Sequence, residues 1–285
     1  MQRNAVILAA GTSSRFVPLS QELPKGLIEV KGEILIERQI RQLREAGISD
    51  ICVIVGYKAE MFSYLCEKFG VETVFNEDYA KYNNTSSLIR VADRLSNTFI
   101  CSSDNYFSGN VFIPESELSY YSACYAYGAT SEYCITTDKK GIIKDVSVGG
   151  ENSWYMVGHA YFNDGFSQSF KSILTAEYAN ESARHQYWED IYIKHIGSLP
   201  PLKINKYIDG QISEFDTLDE LRAFDASYIN DTRSSVIKAI ASDLNCQECD
   251  LKCFSRIQNA PGHLMFEFMK RDKKYLYDNG KILPA

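Results

Sequence analysis

The 285-residue chain has no stretch approaching the roughly 18 consecutive apolar residues needed to cross a bilayer. Its N-terminus carries no basic segment followed by an apolar core and a cleavage site, so no leader is expected and the chain reads as cytoplasmic. Positive charge is in short supply: 30 Lys and Arg stand against 37 Asp and Glu, a formal net charge of -7. Nucleic acid and membrane insertion are therefore not expected, and a polyanionic small substrate would need cations concentrated locally. The chain has no internal repeat and no low-complexity tract. The dinucleotide fingerprint G-x-G-x-x-G and the phosphate loop G-x-x-x-x-G-K-[ST] are both missing. A compact disulfide framework is missing too, because Cys52, Cys66, Cys101, Cys124 and Cys134 fall inside strand-like or helix-like patterns and read as reduced thiols.

What is present is an ordinary folded composition, 45% hydrophobic and 24% charged. Residues 4–9 form an apolar run suited to a strand buried on both faces. Residues 34–46 carry apolar side chains at helical spacing and stop at Gly47. Residues 51–55, 72–75 and 98–102 read as further strands, and 58–69 and 85–96 as helices. Strand and helix alternate, which predicts a parallel α/β sheet with right-handed crossovers. From Ser119 the texture changes to short aromatic and β-branched segments, 120–127, 133–137, 142–148 and 154–162, with turn signals such as Lys140-Gly141 and Gly149-Gly150 between them. Helices are expected again at 165–177, 187–194 and 218–224. From about Asp231 the chain reads as an appendage: a helix at 234–243, a polar Cys-rich turn, and a hairpin of 264–269 and 274–277. It has few residues with which to build a core of its own and is expected to pack on the main domain.

The stretch Ala9-Ala10-Gly11-Thr12-Ser13 follows the first strand. Side chains this small let backbone N–H groups approach a phosphate chain or a base closely, and Arg15 adds a fork of donors. A small-residue turn alone also serves as an ordinary strand-helix connection; Pro24-Lys25 at this spacing makes the pattern specific. Leu8-Ala-Ala-Gly-Thr-Ser-Ser-Arg15 with Pro24-Lys25 resembles the signature of nucleotidyltransferases that join a nucleoside triphosphate to a phosphorylated partner. In that family the arginine and lysine hold the triphosphate and the attacking phosphate. Further on, Tyr82-Asn-Asn-Thr-Ser-Ser-Leu88, Ser103-Asp-Asn-Tyr106, Tyr187-Trp-Glu189 and Glu214-Phe-Asp216 stand in the order seen in bacterial CTP:phosphocholine cytidylyltransferases.

The resemblance covers residues 1 to about 228 and implies a Rossmann-like α/β fold. Its central sheet would be mixed and mostly parallel, flanked by helices, with residues 229–285 as a small C-terminal α+β appendage. It implies that CTP and a phosphorylated or phosphonate amino-alcohol are the substrates. Arg15, Lys25 and Asp104 would be catalytic; Leu8, Ala10, Gly11, Thr12, Ser13, Asn84, Ser87 and Ser103 would bind nucleotide. A homodimer is compatible with it. Nucleotidyl transfer leaves the protein mainly to place the attacking oxygen and neutralise charge, work that Mg²⁺ does well with one or two carboxylates. Asp104 follows an apolar strand and so sits where ligands bind in open α/β sheets. The resemblance has Asp216 meet it to hold the metal; alternatively Asp216 caps the helix that starts near Leu218. Asn84 and Ser87 either bind base and ribose or cap a helix.

A quaternary ammonium offers no hydrogen-bond donor and must be held by aromatic faces, at about 0.5 to 2 kcal/mol each, and by diffuse negative charge. Tyr133, Tyr187, Trp188, Glu189 and Glu214 are the candidates by motif position. Tyr133 stands where the phosphocholine enzymes have tryptophan, and Glu189 where they have aspartate. A primary amine, as in phosphoethanolamine or 2-aminoethylphosphonate, would want hydrogen-bond acceptors in place of a full aromatic box. A sugar-1-phosphate nucleotidyltransferase and a non-catalytic nucleotide-binding regulator are the competing classes. In the tail, Cys246-x-x-Cys249-x-x-x-Cys253 with His263 invites zinc, but a reduced, metal-free turn is favoured. The tail also resembles the start of a choline-kinase-type small lobe, without that family's catalytic loop, and so reads as a vestige, a packing element or an oligomer contact.

Overall fold

The apolar run Asn4–Ala9 (β1) forms an interior strand of a seven-stranded sheet in a computed structural model that describes residues 2–112, 118–257 and 264–284. Contacts divide the chain into two compact units: Met1–Gly11 with Leu35–Glu214, and Thr12–Ile34 with Phe215–Ala285. The boundary expected near residue 228 falls inside the second unit.

The other six strands of this sheet, all in the first unit, are Asp50–Val55 (β2), Glu72–Phe75 (β3), Thr98–Ser102 (β4), Tyr120–Thr137 (β5), Ile143–Phe162 (β6) and Lys203–Lys206 (β7). Their order across the sheet is β7-β5-β6-β4-β1-β2-β3. Strands β4, β1, β2 and β3 run parallel, β7 is parallel to β5, and β6 is antiparallel to both β4 and β5. The sheet is thus mixed and mostly parallel, as expected. Apolar β1 and β2 are buried along nearly their whole length, which is what a parallel sheet covered on both faces requires.

Helices Leu35–Glu45 (α1), Thr85–Ile89 (α2), Asp164–Tyr178 (α3) and Trp188–Lys194 (α4) belong to the same unit. The helix expected over 85–96 stops at Ile89 and gives way to a 3₁₀ turn at Ala92–Arg94. The four short segments expected after residue 119 are two long strands, β5 and β6, paired as one hairpin with several register shifts. Lys140-Gly141 forms the turn between them, as expected, whereas Gly149, at φ +78°, and Gly128, at φ +84°, bend the ribbon without ending its pairing. The core gathers Val6, Ile54, Ile100, Tyr121, Phe162, Phe170 and Trp188, among others.

In the second unit the tail is a four-stranded antiparallel sheet rather than a hairpin: Leu251–Arg256 (β8), Met265–Lys270 (β9), Lys273–Asp278 (β10) and Lys281–Pro284 (β11), in chain order. Strand β8 occupies part of the segment read as a polar turn. Its Leu-Lys-Cys-Phe-Ser-Arg pattern buries only Leu251 and Phe254, a spacing that alternation does not reveal. Phe254, Phe266 and Phe268 form its apolar face. Helices Leu218–Phe224 (α5) and Ser235–Asp243 (α6) belong to the same unit, with the short helix Leu19–Glu22 and the small hairpin of Glu29–Val30 and Glu33–Ile34. Among the described residues no helix is long and apolar enough to cross a membrane.

Candidate active site

The carboxyl ends of β1 and β4 are joined by a hydrogen bond from Ser103 N to Leu8 O at 3.1 Å, which brings Ser103 and Asp104 beside the start of the small-residue turn. Ala10 O accepts from Tyr57 N at 3.0 Å. A Cβ added at Gly11 would meet nothing within 4 Å, so packing within the protein does not explain a glycine there. Gly56, which sequence reasoning passed over, is different: its added Cβ would lie 2.6 Å from Tyr79 Cβ and 2.9 Å from Ala10 Cβ. Only glycine lets the chain pass behind Ala10.

Asp104 is half-buried in a turn held from α1. The fully buried Gln39 amide donates to Ser102 O and to Asn105 O, both at 2.9 Å, and so spans Ser103-Asp104 with one NH₂ group. Asn105 in turn donates to Val157 O on β6 at 2.7 Å. Gln39 carries no motif signal, since a glutamine on a helix normally faces water, whereas Asn105 lies within the Ser103-Asp-Asn-Tyr106 stretch.

Two motifs about a hundred residues apart are joined along their length. Asn83 N donates to Arg184 O at 3.0 Å, Thr85 Oγ1 to Gln186 O at 2.6 Å, and Trp188 N to Asn84 Oδ1 at 2.8 Å. Asn84 Nδ2 also reaches Glu189 Oε2 at 3.4 Å. Asn84 precedes α2 but its side chain makes no cap there; it orients α4 instead. The Ser87 hydroxyl is buried and accepts from Asn76 Nδ2 at 3.1 Å.

Glu189 is 8% exposed, and its Oε1 accepts from Tyr121 OH at 3.0 Å. Burial raises its pKa to about 7, offset only in part by the bonds from Tyr121 and Asn84. Burial and the adjacent carboxylate push the Tyr121 phenol well above its ordinary range. Beside this pair, Tyr133 OH donates to Asp190 Oδ1 at 2.8 Å, while Asp190 Oδ2 accepts from Tyr187 N at 2.9 Å. The Tyr133 and Tyr187 rings meet edge to face at 6.4 Å, and Tyr187 is 43% exposed. Tyr121 and Asp190 were missed from the sequence because neither lies at a position that the motifs single out.

Trp188 is corrected by the structure. Expected to face the acceptor, it is 1% exposed and packs against Tyr121, Phe162 and Phe170 at ring distances of 5.7 to 5.9 Å. It is a core residue that seats the helix bearing Glu189. Glu214 is exposed, and its charge contributes to raising the Tyr121 and Tyr155 phenols.

In the second unit, Thr12 and Ser13 lead to Arg15, with Ser13 at φ 48°. Arg15 Nη1 pairs with Asp216 Oδ2 at 2.5 Å, and Lys25 Nζ with Asp216 Oδ1 at 3.3 Å. The Lys25 side chain is 5% exposed and that of Arg15 70%. Helix α5 is capped by Thr217, which accepts from Glu220 N at 3.2 Å, while Glu220 Oε2 accepts from Asp216 N and Thr217 N at 2.7 and 2.9 Å. Asp216 is therefore not the cap. Its carboxylate is left to the two cations. Among the described residues no group of three His, Cys, Asp or Glu could hold a metal ion; Cys249 Sγ donates to Gln247 Oε1 at 3.5 Å, and His263 lies outside those residues.

The fold and these clusters define a nucleotidyltransferase: residues 5–113 match the MobA-like NTP transferase domain. The choline-phosphate cytidylyltransferase of Streptococcus pneumoniae is 33% identical over 76% of this chain and 95% of its own length. The 2-aminoethylphosphonate cytidylyltransferase of Lancefieldella rimae is 35% identical over 81% and 95%. The solved CTP:phosphocholine cytidylyltransferase from Streptococcus pneumoniae superposes with a TM-score of 0.75 at 32% identity, covering 78% of this chain and 97% of that one. The chain belongs to this family of nucleotidyltransferases, and about a fifth to a quarter of it extends beyond what these relatives cover.

Proposed function

We propose that the chain transfers CMP from CTP to phosphocholine, giving CDP-choline and pyrophosphate for decoration of a surface glycan or lipid. The observation that carries this reading is Glu189, a buried carboxyl held only by neutral partners, beside the Tyr133 and Tyr187 rings. A carboxyl in that setting costs free energy when ionised and is stabilised by a cation brought to it, whereas a neutral sugar gives no such return. The phosphate oxygen of the acceptor attacks the α-phosphorus of CTP, the bond from that phosphorus to the bridging oxygen breaks, and pyrophosphate leaves. Arg15 and Lys25 neutralise the triphosphate, which competes with Asp216 for both cations.

Asp104 and Asp216 offer the hard oxygen donors that magnesium prefers and are the proposed carboxylates for it. The ion would supply further neutralisation of the phosphate charge. A second reading, a primary-amine acceptor such as 2-aminoethylphosphonate or phosphoethanolamine, is favoured by the burial of Trp188 and by the Tyr133–Asp190 bond. The first leaves fewer aromatic faces, and the second sets a carboxylate, a hydrogen-bond acceptor, beside Tyr133.

Pyrophosphate release measured with CTP, UTP, ATP and GTP against phosphocholine, phosphoethanolamine, 2-aminoethylphosphonate and glucose-1-phosphate tests this. CTP with phosphocholine is expected to be fastest. Preference for a primary-amine acceptor selects the second reading, and turnover of the sugar phosphate alone overturns both.

A further inference from the structure

The C-terminal appendage is left unexplained by the chemistry above, and its contacts within the second unit are not spread evenly. They fall on the two segments that carry the Lys25–Asp216 ion pair. On one side, Glu22 stands three residues before Lys25, and its Oε1 accepts from Ser235 N at 2.7 Å and from the Ser235 hydroxyl. Ser235 opens α6, so the Glu22 carboxylate sits at the positive end of a nine-residue helix. Farther along the same segment, Glu29 O accepts from Arg233 Nη1 at 3.2 Å.

On the other side, helix α5 begins two residues after Asp216. Its Arg222 is 8% exposed and donates to Leu251 O at 2.6 Å and Glu248 O at 2.8 Å, both in the appendage. Asp219 Oδ2, on the same helix, accepts from Cys253 N at 2.7 Å.

We propose that the appendage positions Lys25 and Asp216: α6 holds the Lys25 segment through Glu22, and the 248–253 backbone holds the Asp216 helix through Arg222 and Asp219. Glu22 and Arg222 are positioning residues, acting on the triphosphate through Lys25 and Asp216. The proposal rests on the nucleotidyl-transfer reading of those two residues. It replaces the view of the tail as a vestige with that of a working part.

The test compares Glu22→Ala and Arg222→Lys with Phe268→Leu, all in the full chain. Phe268 is fully buried in the appendage sheet, stacked on Phe254 and Tyr275, and makes none of the hydrogen bonds above, so its variant reports simple loss of stability. Well below their thermal midpoints, Glu22→Ala and Arg222→Lys are expected to lower kcat/KM for CTP about tenfold, as small misplacements of charged groups do, with the acceptor KM within about twofold. Phe268→Leu is expected to lower the midpoint and leave kcat/KM for CTP within about twofold. If Arg222→Lys does not fold, Glu22→Ala decides alone, since Glu22 is only half-buried, at the end of the short helix Leu19–Glu22. Wild-type kcat/KM in Glu22→Ala, or an equal loss in Phe268→Leu, overturns the proposal. Lys25→Met separates the layers: if it too is unimpaired, the triphosphate reading falls and takes this one with it. If it is severely impaired while Glu22→Ala is normal, only the role of the appendage falls.

Discussion

Two carboxylates, Asp216 in the second unit and Glu189 in the first, are treated in opposite ways by the residues around them. Asp216 is partly exposed and paired with two cations. Glu189 is buried and bonded to a phenol and an amide, and its pKa is raised to about 7. A carboxylate with its counter-charge in place keeps its cations where an incoming anion must compete for them. A carboxylate without one gains from a cation supplied by the substrate. On the proposed reading the ionic cluster meets the polyphosphate and the neutral-lined cluster an ammonium group.

The contrast is broken most severely on the ionic side. Lys25→Met is expected to lower kcat/KM by about 10²- to 10³-fold, the usual cost of removing a preorganised group that meets developing charge. Circular dichroism should show a folded protein; unchanged kinetics would remove Lys25 from the triphosphate site. Asp104→Ala is expected to abolish turnover while the protein stays folded, and wild-type rates would exclude it from the metal.

On the other side, Glu189→Gln should raise KM for a cationic acceptor by about 10- to 100-fold, the worth of one hydrogen bond or contact to a charged group, with KM for CTP little changed. The same substitution should stabilise the free protein. Glu189 has a folded pKa above its unfolded one, so the wild type loses stability as pH rises from the ordinary carboxyl range through about 7. Above that window the glutamine variant should be more stable by at most about 3 kcal/mol, and denaturant midpoints at pH 5 and pH 8 would show whether the difference grows with pH.

A milder form of that experiment needs no mutation. In the wild type, KM for the acceptor should rise as pH falls below about 7, as Glu189 takes up a proton and loses its attraction for the cation. A KM flat between pH 6 and pH 8 would mean that Glu189 does not meet the ammonium group. Smallest of all, Trp188→Phe should cost about 1 to 3 kcal/mol of stability with acceptor selectivity unchanged, as for a shape change in a packed core. Altered selectivity would return the indole to the acceptor site.

Much of this arrangement was legible before any coordinates. The β1-to-Arg15 stretch, Pro24-Lys25, Ser103-Asp104 and Tyr187-Trp-Glu189 are local patterns, and each marks a place where a strand ends or a helix begins. What escaped were residues defined only by what lies across from them. Gln39 is one of several polar residues on α1, and only the carbonyls of Ser102 and Asn105 give it meaning. Tyr121 looks like any strand tyrosine until Glu189 is found at its hydroxyl. Trp188 was misjudged for the converse reason: an aromatic at a helix start has the same pattern whether it points to a ligand or to Phe162 and Phe170.

By itself, the sequence determined the alternating α/β order, the small-residue turn and the chemistry available to the reaction, because strand and helix periodicities and side-chain types are written locally along the chain. Only the tertiary structure decided that Asp216 is neutralised while Glu189 is not, that Asn84 serves α4, and that residues 12–34 belong with the tail. Burial and pairing depend on which distant segments meet, and no local pattern records that.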